Sequence, residues 1–330
     1  METGSGAGGG ASHADEAGLV AGLSGAGTRC GFAAVIGAPN AGKSTLVNSL
    51  VGSKVSIVSP KVQTTRMRVR GVAIRGEAQI VFVDTPGIFK PRRRLDRAMV
   101  NAAWAGAGEG DAILLLVDAP AVAAQADGLA ARDTQMIIDG LKQSNRRAAL
   151  VLNKVDDMPR AALLPLAERL NDSVVFEQVF MISALTGDHV QDVANWTAAK
   201  MPEGPWLYPA DQAADIPMRL LASEITREKL YLRLHDELPY ATTVETEKWE
   251  ERKDGSVKID QVIYVERDGQ KAIVLGKGGR AVKAIGETAR KELEEMFGRR
   301  VHLFLFVKVR ENWADRREHY AGIGLEYPDE

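Results

Sequence analysis

The chain has a single cysteine, Cys30, in 330 residues, so no internal disulfide can form and a reducing compartment is expected. Its five histidines, His13, His189, His235, His302 and His319, stand far apart without ligand spacing, which excludes a structural zinc site of the Cys and His kind. Aromatic residues make up only 6%. The longest strongly apolar run, Ala112 to Val117, is stopped by Asp118, far short of the ~18 residues that a membrane span needs. An excess of either charge is missing too. Forty-two Lys and Arg against 44 Asp and Glu leave a net charge of −2, so the whole molecule is no generic polyanion binder and any nucleic-acid surface must be local. Residues 1 to 28 contain no lysine or arginine with which to begin a secretory signal. With nine glycines and six alanines, they read as a disordered tail.

What remains is an ordinary globular composition, 45% hydrophobic and 26% charged. At ~150 residues per domain the length predicts two domains. Met201 to Pro217 (MPEGPWLYPADQAADIP) carries four prolines, which a helix or an inner strand does not sustain. The expected organisation is therefore a tail over 1–28, a first domain over 29–200, a linker over 201–217 and a second domain over 218–330.

In the first domain, short apolar runs at Phe32 to Ile36, Ile80 to Val83, Ala112 to Val117, Ala148 to Leu152 and Val179 to Ile182 alternate with helix-sized segments. Those segments are Leu95 to Ala107, Gln125 to Gln143 and Ala161 to Asn171. The alternation predicts an α/β fold with a mostly parallel sheet, which binds ligands at the carboxyl ends of its strands.

Four motifs sit at those ends. After the first strand comes Gly37-Ala38-Pro39-Asn40-Ala41-Gly42-Lys43-Ser44, followed by Thr45, the phosphate-loop spacing Gly-x4-Gly-Lys-Ser. Its backbone amides would face phosphates at a helix N-terminus, Lys43 would neutralise the outer ones, and Ser44 would offer a hydroxyl to magnesium. After Ile80 to Val83, the third strand once an alternating strand at Met67 to Ile74 is counted, comes Asp84-Thr85-Pro86-Gly87, with an acid within reach of the metal and a glycine whose amide could meet a third phosphate. Asn153-Lys154-Val155-Asp156 ends another apolar strand, where the Asp156 carboxylate would accept from the ring NH and 2-amino group of guanine. Adenine lacks both donors, so a pocket built on these hydrogen bonds would select GTP over ATP. Ser183-Ala184-Leu185 follows the last strand and would present an amide to the guanine oxygen. Each motif alone has an ordinary structural reading; all four in order point to a GTP-hydrolysing switch with Mg2+ as cofactor and GTP and GDP as partners.

Between the loop and the third strand, Lys61 to Arg68 (KVQTTRMR) is a polar segment in which one threonine hydroxyl would complete the metal shell. Thr65 is favoured and Thr64 is the fallback. The expected catalytic group is Lys43, Thr65 and Gly87, and the expected metal group Ser44, Thr65 and Asp84. Ile88 follows Gly87, where Ras-type enzymes place a water-orienting glutamine, so unassisted hydrolysis at ~10^-4 to 10^-2 per second is expected. Asn40 is read either as a turn residue or as a monovalent-cation ligand. The run Lys90-Pro91-Arg92-Arg93-Arg94 reads first as a solvated loop, with contact of Arg92 to Arg94 with RNA or a partner as the alternative.

The second domain predicts helix (Met218 to His235), two strands (Thr242 to Glu250 and Ser256 to Val265), two helices and a strand. Its charge is segregated: Lys271 to Arg310 holds ten basic against four acidic residues. Gly276-Lys277-Gly278-Gly279 separates a short helix from an amphipathic one whose apolar face is Ala281, Ile285, Ala289, Leu293 and Met296. A Gly-x-x-Gly turn between helices is how KH modules clamp about four single-stranded nucleotides. Lys277, Arg280 and Lys283 would attract the phosphates in a salt-dependent way. Trp249, Phe304 and Phe306 are read as packing residues.

With these residues in place, the chain resembles the Era family of bacterial GTPases over about Gly31 to Val309. GAPNAGKST, QTTR, VDTPG, NKVD and SAL are similar to the family's nucleotide motifs, and SEITREKLYLRLHDELPY and QKAIVLGKGGRAVKAIG to its C-terminal signature. The resemblance implies a type II KH domain that binds the 3′ end of small-subunit (16S) ribosomal RNA, and a role in maturing the small ribosomal subunit. It also implies a cytoplasmic protein with peripheral association with the inner face of the cell membrane. In related GTPases an asparagine placed like Asn40 helps to bind potassium, which makes K+ a second implied cofactor. The expected form is a monomer. The C-terminal GLEYPDE has no counterpart among these motifs.

Overall fold

The computed structural model describes residues 27–171, 176–235 and 238–328, so nearly all of the expected tail lies outside the described residues. Seven strands form one sheet: β1 (Arg29–Gly37), β2 (Val69–Arg75), β3 (Ala78–Asp84), β4 (Ala112–Asp118), β5 (Ala148–Asn153), β6 (Phe176–Met181) and β7 (Ala214–Asp215), in the order β6-β5-β4-β1-β3-β2-β7. From β6 through β3 the pairings are parallel, whereas β2 and β7 pair antiparallel. Every residue of β3 and β5 is buried, as expected of strands covered on both faces.

The covering helices are α1 (Lys43–Val51), α2 (Arg94–Glu109), α3 (Ala119–Ala124), α4 (Leu129–Gln143), α5 (Leu163–Asn171) and α6 (Val190–Lys200). They divide the core into one layer built on Leu46, Ile80 and Val193 and another built on Ile36, Ile137 and Leu150. The helix expected over Gln125 to Gln143 begins at Leu129, and a short helix that was not expected, α3, precedes it. Asp118 accepts from the Ala121 amide at 3.1 Å and starts α3 early, and Gly128 supplies the fresh N-terminus from which α4 begins. Asp96 in the first turn of α2 accepts from the Arg92 and Arg93 amides at 3.2 and 3.0 Å, which fixes where that helix starts.

The segment 201–217 is fastened to the first sheet. Cys30 donates its amide to the Pro202 carbonyl (3.0 Å), the fully buried Gln79 accepts from the Leu207 and Tyr208 amides (2.8 and 3.0 Å), and β7 occupies the sheet edge, where prolines nearby cost no ladder bond.

The remaining elements are α7 (Met218–Arg233), β8 (Thr242–Glu251), β9 (Val257–Val265), α8 (Asp268–Leu275), α9 (Arg280–Phe297), β10 (Val301–Val309) and α10 (Arg317–Gly322). The sheet order is β10-β9-β8, antiparallel between β8 and β9 and parallel between β9 and β10. Ile285, Ala289 and Leu293 of α9 are buried as the apolar stripe requires. Trp249 packs edge-on against Phe297 at 5.8 Å. Phe304 and Phe306 correct the expectation that they are packing residues: they are 46% and 50% exposed, because β10 alternates and only its odd-numbered residues meet the helices.

The two units share apolar surface. Ile57, from the segment between α1 and β2, is buried among Ala222, Ile225, Ile259 and Leu293 of the second unit. At the chain's end, Tyr320 and Leu325 are buried against Ala98 and Met99 of α2.

Candidate nucleotide site and nucleic-acid surface

The carboxyl ends of β1, β3, β4 and β5 open onto a cleft of about 390 Å³ whose lining includes Pro39, Lys43, Thr45, Gly87, Asp118 and Lys154. Gly42 begins α1 at φ 95°, a left-handed conformation that costs glycine little, and a Cβ there would stand 2.4 Å from Asn153 Nδ2. Lys43 turns its ammonium back to the carbonyls of Gly37 (3.1 Å) and Ala38 (2.9 Å). Burial pushes this lysine down to about 8, with the Asp84 charge pulling it partly back.

Asp84 is fully buried at the end of β3. Its Oδ2 accepts from the Ser44 hydroxyl at 2.7 Å and from the Thr65 hydroxyl at 3.3 Å, and those two hydroxyls are themselves 2.8 Å apart. Burial raises the Asp84 carboxyl above its ordinary range, against the lowering effect of Ser44 and Lys43, and its Oδ1 is buried with no hydrogen-bond partner. Three hard oxygen donors converging with one carboxylate oxygen unspent are what a magnesium ion takes when phosphates and waters complete its shell, so these residues fit that ion. Thr64 points elsewhere: its hydroxyl lies 2.6 Å from Ser59 Oγ and donates to the Lys61 carbonyl at 2.8 Å. Among the described residues no cluster of three or more His, Cys, Asp or Glu could hold a metal.

Gly87 passes so close to the phosphate loop that a Cβ would come within 3.0 Å of the Pro39 backbone, and the Ile88 amide donates to the Gly37 carbonyl (3.1 Å). The Ile88 side chain is fully buried. The Thr85 hydroxyl donates into the sheet, to the Val35 carbonyl at 2.8 Å.

Asn153 is a brace between loops. Its Nδ2 donates to the Ala41 carbonyl at 2.8 Å and its Oδ1 accepts from the Ala184 amide at 2.9 Å, so it ties the phosphate loop to the Ser183-Ala184-Leu185 turn. Lys154 reaches Asp118 at 2.6 Å, a partner that the sequence reading missed although Asp118 ends an apolar strand just as Asp84 does. Asp156 is exposed and makes no hydrogen bond or ion pair among the described residues. Leu185 is 80% exposed, and Ser183 accepts from the Thr186 amide at 3.2 Å. Asn40 sits at φ 64° and donates to the Pro60 carbonyl (3.3 Å).

The GKGG residues form a separate surface on the second unit. A Cβ at Gly278 or Gly279 would meet nothing within 4 Å, so this turn, between α8 and α9, is open. Arg290, Arg299, Lys308 and Arg310 are paired with Glu294, Glu251, Glu247 and Glu245. Lys271, Lys277, Arg280 and Lys283 make no ion pair among the described residues, nor do Lys291 and Arg300, so much of the excess positive charge gathers at the turn. In the run 90–94, Lys90, Pro91, Arg92 and Arg93 are exposed, while Arg94 contacts the Tyr327 hydroxyl.

A phosphate loop, an acid-and-hydroxyl cluster and a free carboxylate at the strand ends of a mostly parallel sheet, joined to an α-β-β-α-α-β unit with a basic Gly-x-x-Gly turn, define a GTPase carrying a KH domain. Family models agree: residues 32–154 match the 50S ribosome-binding GTPase family and residues 237–314 the KH domain. The chain is similar to the GTPase Era of Rhizobium meliloti (strain 1021), 64% identical over 301 residues that span 91% of this chain and 94% of that protein. It is 60% identical over 307 residues to the GTPase Era of Caulobacter vibrioides (strain NA1000 / CB15N), covering 91% and 97%. Among solved structures it is similar to a variant of the Aquifex aeolicus Era bound to GDP and AlF4−, and to Era in complex with MgGDPNP and nucleotides 1506–1542 of 16S ribosomal RNA. Each gives a TM-score of 0.83 at 38% identity over 90% of this chain and 99% of the other. The chain belongs to the Era family of GTPases.

Proposed function

We propose that this GTPase binds the single-stranded 3′ end of small-subunit ribosomal RNA through its KH unit, under the control of GTP, and so assists maturation of that subunit. The observation that carries the reading is the physical join between the two sites. The segment holding Thr65 against Asp84 is bonded on either side to the second unit, through the Thr64 carbonyl and the Arg66 guanidinium. Loss of the third phosphate and its metal would release that segment and alter the surface beside the KH unit. The solved complex of a relative with 16S ribosomal RNA supports the choice of RNA.

In this reading the phosphate loop and Lys43 hold the phosphates, and the Asp156 carboxylate reads guanine with Ala184 and Leu185 beside it. Asn153 braces the two loops. Ser44, Thr65 and Asp84 would hold magnesium, which supplies charge neutralisation to the leaving phosphate oxygens. The Gly87 amide meets the third phosphate. Ile88 leaves the attacking water without a side-chain base, so turnover is slow. The side-chain amide oxygen of Asn40 would add a potassium ligand, and hydrolysis at equal rates in sodium and potassium would remove that part.

The test is titration of a fluorescent oligonucleotide with the sequence of the 16S 3′ end into full-length protein loaded with GDPNP or GDP. Expected are a nucleotide-dependent affinity, a steep salt dependence, and loss of binding in Gly278→Asp/Gly279→Asp with GTPase activity retained. Superimposable titrations in both nucleotide states would refute the coupling.

A further inference from the structure

We propose that Arg227, a residue of the KH unit, is a positioning residue for GTP hydrolysis: by gripping the Thr64 carbonyl it aims the Thr65 hydroxyl at Asp84 and Ser44. The inference rests on the placing of Thr65 in the magnesium shell made above.

Arg227 projects from α7, is 1% exposed, and donates through Nη2 to the Thr64 carbonyl at 2.5 Å. That carbonyl and the Thr65 amide belong to one planar peptide unit, so fixing the carbonyl restricts the rotation that would carry the Thr65 side chain away. The hold is doubled on the far side. Arg66, 5% exposed, donates to the Thr242 carbonyl (3.0 Å) and the Tyr231 hydroxyl (2.9 Å) and lies 5.4 Å from the Trp313 ring centre. Thr65 is thus bracketed by two anchors in the other unit, while its own hydroxyl contacts, among the described residues, the first-unit groups Ser44 and Asp84.

Stability alone is a poor account of Arg227. Nε donates to Glu224 at 2.8 Å, Nη2 reaches the same carboxylate, and Nη1 is buried with no partner. Burying a guanidinium with a donor unspent is costly, and an apolar side chain of similar volume would fill the space at less expense. An apolar side chain could not hold a backbone carbonyl of the other unit. Burial works against the charge but the Glu224 carboxylate more than offsets it, so the guanidinium stays charged and its bond to the carbonyl is of the stronger, charge-assisted kind.

The test compares full-length Arg227→Met, Arg227→Lys and Thr65→Ala for turnover at saturating GTP, magnesium dependence, GDP affinity and thermal unfolding. For Arg227→Met, turnover should fall about ten- to a hundredfold, the worth of a charge-assisted hydrogen bond, with a higher magnesium requirement and GDP affinity within about twofold of the parent. Arg227→Lys, whose ammonium can reach the same carbonyl, should recover most of the rate. Adding Arg227→Met to Thr65→Ala should cost no more than Thr65→Ala alone, since both act through one hydroxyl. If Thr65→Ala slows turnover and Arg227→Met does not, the inference is wrong and the Thr65 assignment survives. If Thr65→Ala leaves turnover intact, the assignment itself fails. A parallel loss of turnover, GDP affinity and unfolding temperature that lysine does not rescue would make Arg227 a folding residue only. Should Arg227→Met not fold, Glu224→Gln keeps the guanidinium but removes the charge that orients it; a severalfold slower turnover is expected, and an unchanged one overturns the proposal.

Discussion

Replacing Asn153 with alanine separates bracing from base recognition. The asparagine is 2% exposed and fills two bonds at once, to the Ala41 carbonyl and the Ala184 amide, both on buried residues. Alanine would leave that carbonyl and that amide without partners, at roughly 1–3 kcal/mol each, so the total is about 2–6 kcal/mol. Part appears as lower stability and part as a looser cleft, because the phosphate loop and the Ser183-Ala184-Leu185 turn lose their common anchor. Asn153 approaches Ala41 and Ala184 and reaches no group that distinguishes GTP from GDP. The expected result is therefore uniform: affinities for GDP and GTP fall together by about ten- to a hundredfold, and turnover at saturation stays near the parent's. Asn153→Asp is the sharper variant, since its carboxylate can still accept from Ala184 but faces the Ala41 carbonyl with like partial charge. It should fare no better than alanine. Fluorescent-nucleotide titrations and single-turnover hydrolysis on the same preparations decide the matter. Unchanged affinity with a depressed rate would refute the bracing argument.

Three further outcomes follow from the same geometry. With Lys43 at about 8 in the free protein and raised again by bound phosphates, nucleotide binding takes up a proton above that value, so GDP affinity should fall about fivefold from pH 8 to pH 9 and stay flat below pH 7; a flat profile throughout would show that Lys43 titrates elsewhere. For the free protein the sign reverses, because the folded lysine loses its proton before the unfolded one and stability gains as pH rises between about 8 and 10.5. Asp156→Asn should shift preference from GTP toward xanthosine triphosphate, since the amide donates where the carboxylate accepted; retained GTP preference in competition titrations would sink the assignment. Leu325→Ala should lower stability by about 2–3 kcal/mol, read as a denaturation midpoint, because Leu325 is buried against α2 beside Met99; a midpoint like the parent's would mean that the C-terminal segment does not pack there.

These outcomes divide according to how far apart their residues lie along the chain. That Lys43, Ser44, Asp84 and Asp156 stand at or just after strand ends was legible in the sequence, because a parallel sheet delivers the end of each strand to one edge. Thr65 also falls where the polar segment between strands allowed, facing Asp84, while Thr64 turns to Ser59 and Lys61. Asn153 shows the limit of motif reading: its place in Asn-Lys-Val-Asp is local, but its two partners lie 112 and 31 residues away, and only the folded loops show that it braces the site. Phe304 and Phe306 were misjudged for a related reason. Alternation along β10 says that two faces exist but not that one is left uncovered.

The contacts that join the two units are not paired by any sequence signal. Arg227 meets Thr64 across 163 residues, Arg66 meets Thr242 across 176, and Ile57, in the run Val55-Ser56-Ile57-Val58, is buried among residues of the other unit. Arg66 and Arg227 belong to the QTTR and SEITREKLYLRLHDELPY motifs, but neither motif names its partner, and each contact lies on or beside the segment that the third phosphate is expected to order. A fold that stacked its two units through a generic apolar patch would let them move independently of Thr65. Here part of the interface is made from the segment that holds Thr65, so in the proposed reading a rearrangement of that segment would break or remake a bond to α7 or to the start of β8. Reciprocity then requires that whatever the KH unit binds preferentially in one arrangement also shifts the equilibrium of the nucleotide loops. The direction of that shift is set by which arrangement leaves the GKGG turn better disposed toward a strand, and RNA titrations of the Arg227 variants in both nucleotide states measure it.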